Sequence, residues 1–91
     1  PQGRPAIAVV IDDVGANRRQ VDAAIALPAA VTLAFMPYGE DVQRQVDRAR
    51  TAGHEVLLHL PMQPEAGGDP GPKALLTSLP PGALAERIAW N

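Results

Sequence analysis

No cysteine occurs among the 91 residues, which excludes disulfides, thiolate metal sites and a cysteine nucleophile. It leaves the compartment open, because a cysteine-free chain tolerates reducing and oxidising surroundings alike. Aromatic residues are almost as scarce: Phe35, Tyr38 and Trp90 are the whole set. Neither sign of charge dominates. Ten acids and eight bases leave a net charge of −2, so there is no basic footprint for nucleic acid. Lysine is represented only by Lys73, the other seven bases being arginine. No apolar run approaches the length of a membrane span. The polar start, Pro1 to Pro5, lacks the hydrophobic stretch of a signal peptide, and the first residue is not Met, as expected of a mature or excised piece.

What the chain does have is aliphatic: 46% of its residues are apolar, mostly Ala, Val, Leu and Ile, which argues against disorder, and its length of 91 residues allows one domain at most. The run Ala6-Ile7-Ala8-Val9-Val10-Ile11 is short, β-branched and closed by acids, so it predicts a strand buried on both faces. Asp12 to Ala16 is expected to be a loop. Asn17, with Gln20 three residues on, is a capping-box start for a helix carrying Val21, Ala24 and Ile25 on one face, and Pro28 stops it. A second strand is expected at 31–36, a turn at Pro37-Tyr38-Gly39, and a helix from about Glu40 to Ala52. That helix buries Val42, Val46 and Ala49, exposes Arg44, Arg48 and Arg50, and pairs Glu40 with Arg44. Gly53 fits the left-handed position after a helix. A third strand, Glu55 to Leu60, leads into a loop from Pro61 to Pro72 holding four Pro and three Gly. A short apolar piece, 74–79, precedes Pro80-Pro81, which can start a helix with Leu84 and Ile88 on its apolar side.

The order β-α-β-α-β-loop-α implies an α/β fold with a parallel sheet and right-handed crossovers. Three parallel strands form a thin sheet with two open edges. The chain therefore reads as a linker end at 1–5 followed, over 6–91, by the N-terminal part of a larger barrel whose remaining strands are missing.

In parallel α/β folds functional groups gather at the carboxyl ends of the strands. Asp12 and Asp13 close the first strand there and His59 the third, 46 residues apart from Asp13 in sequence. Adjacent like charges repel, and a divalent cation removes that cost. Imidazole with carboxylate suits zinc and other first-row metals, and such a site activates water and polarises a carbonyl. The plainer alternatives are a turn or capping role for the acids and a structural hydrogen bond for the histidine. His54 lies at the opposite end of the third strand, about 16 Å from His59 at 3.3 Å per residue, and reads with Glu55 as structural. Glu65, in the loop on the functional side, reads as solvated, as do Arg18 and Arg19. Tyr38 is expected either to line the cleft rim or to cover the sheet edge.

Four segments, IAVVIDDVG (7–15), VTLAFMPY (31–38), AGHEVLLHLPMQP (52–64) and DPGP (69–72), resemble the divergent polysaccharide deacetylase family, a bacterial relative of the NodB-type carbohydrate esterases. The resemblance runs from residue 6 over nearly the whole chain, with the segments in the family's order. It implies a deformed (β/α) barrel of the glycoside hydrolase/deacetylase type and a divalent-metal-dependent hydrolase acting on carbon–nitrogen or ester bonds, zinc being the expected metal. Carried over, Asp12 falls on the general base, and Asp13 and His59 on metal ligands. The second histidine of the NodB-type His-x-x-x-His pair is replaced by Gln63, a weak metal or substrate contact at most. A later His-Met-Gly-Ser segment of the divergent family and the later acid and arginine of NodB-type sites fall outside these residues. The resemblance also implies an acetylated glycan as partner and an extracytoplasmic, periplasmic location.

Two other functions fit parts of the pattern. A catalytically silent glycan-binding or scaffold protein could keep the barrel, and Gln63 favours it. A receiver-like signalling module also places two acids after its first strand. It needs an aspartate where His59 stands, and imidazole cannot form its acyl phosphate. Oligomeric state is not legible.

Overall fold

The computed structural model describes residues 3–91; the first two residues of the expected linker end lie outside the described residues. Three strands, β1 (Val10–Val14), β2 (Thr32–Phe35) and β3 (Val56–Leu58), alternate with three helices, α1 (Arg18–Ile25), α2 (Val42–Thr51) and α3 (Pro81–Trp90). The sheet order is β1-β2-β3 and both pairings are parallel. This is the α/β class and unit order implied by the alternation of apolar runs and amphipathic segments.

Burial follows from position in the sheet. β2 has a neighbour on each edge, and Leu33, Ala34 and Phe35 are all buried. Leu33 and Phe35 point to the helices, where Val14, Val21, Ala24 and Ala49 complete the core, with Ile11, Val42, Val46 and Val56 packed against it. Truncating the fully buried Leu33 to Ala is expected to cost about 2–5 kcal/mol. α1 begins as its sequence dictates, with Asn17 Oδ1 accepting the Gln20 amide N–H at 3.2 Å. α2 ends in a Schellman motif. Gly53 has φ +95, its N–H donates to Arg50 O and the His54 N–H donates to Ala49 O.

Four expectations are corrected. The first strand, expected at Ala6–Ile11, lies at Val10–Val14. The reason is pairing: the ladder opens where Thr32 N–H meets Val9 O, so earlier residues have no partner strand. Ala6 to Val10 are exposed rather than buried on both faces, Ile7 to 91%. The acid pair consequently belongs to the strand and not to the loop. α2 starts at Val42, after Asp41 in the left-handed region, so Glu40 is outside the helix. Arg44 pairs with Asp41 at 3.6 Å instead. Arg48 is not merely solvated; its Nη1 donates to Asp22 Oδ1 at 2.9 Å, joining α2 to α1, and also to Gln45 Oε1. Finally, α3 forms where Pro80-Pro81 predict it but contributes no buried residue, and Ile88 is 53% exposed. It is held by Arg87 Nη1 donating to Ala74 O at 2.7 Å and Asn91 Nδ2 donating to Lys73 O at 2.9 Å.

Candidate metal centre

A regular strand sends adjacent side chains to opposite faces, so Asp12 and Asp13 in an ideal β1 would point apart. They do not, because the ladder is irregular there. Ile11 pairs with Leu33 and Val14 with Phe35, so two residues of β1 stand between these pairs against one of β2. The extra residue makes a bulge, and Asp13 takes it up with φ +55, a left-handed conformation that aspartate tolerates better than most non-glycine residues. Parity confirms the bulge: Ile11 and Val14 both pack on the helix side although an odd number of steps separates them.

The bulge delivers both carboxylates to His59. Asp12 Oδ1 lies 2.8 Å and Asp13 Oδ1 3.0 Å from His59 Nδ1. His59 sits one residue past β3 and remains tied to β2, its N–H donating to Phe35 O at 2.9 Å. The imidazole is half-buried, whereas the two carboxylates are open to solvent. Across the sheet, Val10, Ala34, Leu57, Leu58, Leu60 and Met62 line the hollow that also holds Asp12 and His59.

Whether a cation fits can be tested on His59 itself. Its Nδ1 is buried and makes no aligned hydrogen bond, although two carboxylate oxygens lie at contact distance. Three donor atoms thus converge without satisfying one another, all within 4.8 Å of each other. Ligands about 2.0–2.1 Å from zinc at tetrahedral to octahedral angles stand about 2.9–3.4 Å apart, close to the two separations at Nδ1. On those two separations and on its donor chemistry, the group suits a divalent cation.

Gln63 does not join it. Its Oε1 accepts both the Thr77 N–H at 3.0 Å and the Thr77 hydroxyl at 3.1 Å, which engages both lone pairs of that oxygen. Beside it, Gln63 N–H donates to Leu75 O and Leu75 N–H to Pro61 O, so the residue pins the segment after the Pro61–Pro72 loop. Tyr38 also acts through that loop: a β-carbon on Gly71 would stand 3.0 Å from its ring, so the ring is the surface on which the Asp69–Pro72 turn rests. Glu65 is exposed.

His54, at the other end of β3, is 5% exposed. Its Nδ1 lies 2.7 Å from Val31 O and its Nε2 2.9 Å from Ile25 O. A neutral ring donates from one nitrogen only, and Ile25 O is an unpaired carbonyl at the end of α1, where a cation is favoured. Hydrogen bonds to Val31 O, and then to Ile25 O, hold its pKa above the usual histidine value against the opposing effect of burial.

Sequence reasoning missed the bulge, the Thr77–Gln63 pairing and a close approach of Gly39 to Gly15, in which a β-carbon on Gly39 would stand 2.8 Å from Gly15 O. The only sequence signal for the last was a glycine shortly after each of the first two strands.

Known proteins are similar to this chain. A 58-residue segment is 38% identical to the uncharacterised protein YibQ of Escherichia coli K12, covering 64% of this chain and 18% of that protein. An uncharacterised Haemophilus influenzae protein is 34% identical over 58 residues, covering 64% and 21%. The crystal structure of the uncharacterised protein ATU2773 from Agrobacterium tumefaciens C58 matches with a TM-score of 0.84 and 36% identity, over 91% of this chain and 35% of that one. The chain thus spans about a fifth of its curated relatives and a third of the solved structure. Residues 9–91 match the family profile described as divergent polysaccharide deacetylase; with the bulged acid pair facing a histidine across parallel strands, the chain belongs to that family.

Proposed function

We propose that residues 6–91 are the opening β-α units of a (β/α) barrel whose whole protein is a metal-dependent hydrolase removing acetyl groups from a cell-envelope polysaccharide outside the cytoplasm. The observation that supports this most is the convergence of Asp12, Asp13 and His59 on one point at the carboxyl edge of the sheet. Asp13 and His59 hold the cation, zinc being the first expectation for this donor set. A divalent cation there supplies Lewis-acid polarisation of the acetyl carbonyl. Asp12 accepts the proton of the attacking water and passes it to the departing amine or alcohol. With Gln63 Oε1 engaged by Thr77, a further protein ligand comes from elsewhere in the whole protein.

The occupied Gln63 also favours a second reading, a silent glycan-binding protein of the same fold. Metal analysis of the whole protein and release of acetate from acetylated glycan separate the two. Stoichiometric metal with acetate release abolished by Asp12→Asn supports the hydrolase. Glycan binding without metal and without acetate release would overturn it. Within this chain, no helix among the described residues is long and apolar enough to cross a membrane.

A further inference from the structure

The acid pair is bulged and one of its members is left-handed, so something must hold that geometry before any ligand arrives. The ladder does part of this. Ile11 is registered on Leu33 before the bulge and Val14 on Phe35 after it, and Met36 N–H donates to Val14 O at 2.8 Å. The next residue, Gly15, has φ +120, and ladder pairing no longer restrains it. What meets it is Gly39, in the turn after β2. A β-carbon there would stand 2.8 Å from Gly15 O, 3.3 Å from its carbonyl carbon and 3.5 Å from its α-carbon.

These are backbone atoms, so no rotamer change relieves the overlap. Nor does the conformation of Gly39 explain the glycine, because its φ is not positive. The requirement is one of approach: the turn after β2 presses on the loop after β1 two residues beyond Asp13. β2 is paired on both edges whereas β1 is paired on one, so part of the displacement caused by an added atom at position 39 falls on the β1 side of the contact. The left-handed non-glycine residue nearest that contact is Asp13, at the bulge of β1 two residues earlier.

We propose that Gly39 is a positioning residue for the Asp12–Asp13–His59 cluster, its bare α-carbon letting the turn after β2 brace Gly15 and so keep both carboxylates turned toward His59. This rests on the metal reading for its consequence but not for its geometry. Supports of a metal site lying outside the ligands commonly contribute about 10–100-fold in metal affinity.

The test compares the whole protein with its Gly39→Ala and Gly82→Ala variants, the second a control at a glycine with open space around its α-carbon. Zn²⁺ affinity is measured by chelator competition, ligand geometry by the visible spectrum of the Co²⁺ form, and stability by thermal melting without metal. The expected result is a loss on the order of 10–100-fold in Zn²⁺ affinity and an altered Co²⁺ spectrum in Gly39→Ala, with Gly82→Ala unchanged in both. Wild-type affinity and spectrum in Gly39→Ala would overturn the proposal. If the whole protein takes up no metal, the metal reading fails by itself. The positioning claim is then decided by NMR couplings at Asp13: a positive φ in the parent that is lost in Gly39→Ala supports it, and the same φ in both overturns it. Should Gly39→Ala not fold, the parent decides. A left-handed Asp13 with Gly15 and Gly39 α-protons in contact supports the proposal, and an extended Asp13 overturns it.

Discussion

His54 and His59 bracket one short strand, and their surroundings differ in kind. At the amino end, His54 is enclosed and both ring nitrogens face backbone carbonyls. At the carboxyl end, His59 faces two carboxylates, and its buried Nδ1 is aligned with neither. The first arrangement is complete: every polar atom of the ring has a partner supplied by the fold. The second leaves three donors aimed at a common point. The two histidines differ in whether the fold itself finishes their hydrogen bonding.

The largest expected effect separates the two ends directly. His59→Ala should abolish tight Zn²⁺ binding, while His54→Gln leaves it intact. Equilibrium dialysis with metal analysis checks both, and Zn²⁺ bound equally by His59→Ala would erase the distinction. Next, Asp13→Gly should weaken metal binding yet raise metal-free stability by up to about 1 kcal/mol, because it removes a left-handed non-glycine residue and a like charge. A lower denaturation midpoint in the metal-free variant would show that the bulge is not strained.

The amino end has its own signature in pH. The two carbonyls raise the pKa of His54 in the folded state. Its contribution to stability is therefore full below the unfolded value of about 6.5 and is lost as pH rises through the folded value. Arg50 of α2 and Glu55 beside it line the same hollow, the connection from Ala26 to Ala30 carries no charge, and Asp22 of α1 is paired with Arg48. Melting midpoints should fall with rising pH in the parent and lose that component in His54→Gln. An undiminished pH dependence in the variant would assign the effect elsewhere. The smallest effect belongs to the exposed link between the helices: Asp22→Ala should cost under about 1 kcal/mol and leave metal binding alone. A large loss of either would mean that α1 and α2 position the site more directly than their packing indicates.

Much of the frame was legible in the sequence because it rests on local signals. Asn17 caps α1, Gly53 closes α2, and the apolar runs place β2 and β3 within a residue or two. The positions of Asp12, Asp13 and His59 at strand ends were legible for the same reason. What was not legible depends on partners distant in sequence. The start of β1 is set by where Thr32 reaches Val9, and no pattern within 6–11 reports that. The bulge is a mismatch of register between β1 and β2, so neither strand carries it alone. Gln63 looked like a degenerate ligand, and only the approach of Thr77, 14 residues on, shows its oxygen engaged. The exposure of α3 likewise follows from what surrounds it and not from its own apolar content.

The central claim is that the fold finishes His54 and leaves His59 to be finished by a cation. A titration of the whole protein with Zn²⁺, followed through the ring nitrogen NMR signals of both histidines, tests it most directly. One equivalent should move the His59 signals to saturation, with the His54 signals unmoved. No saturable change at His59, or an equal change at both rings, would contradict it.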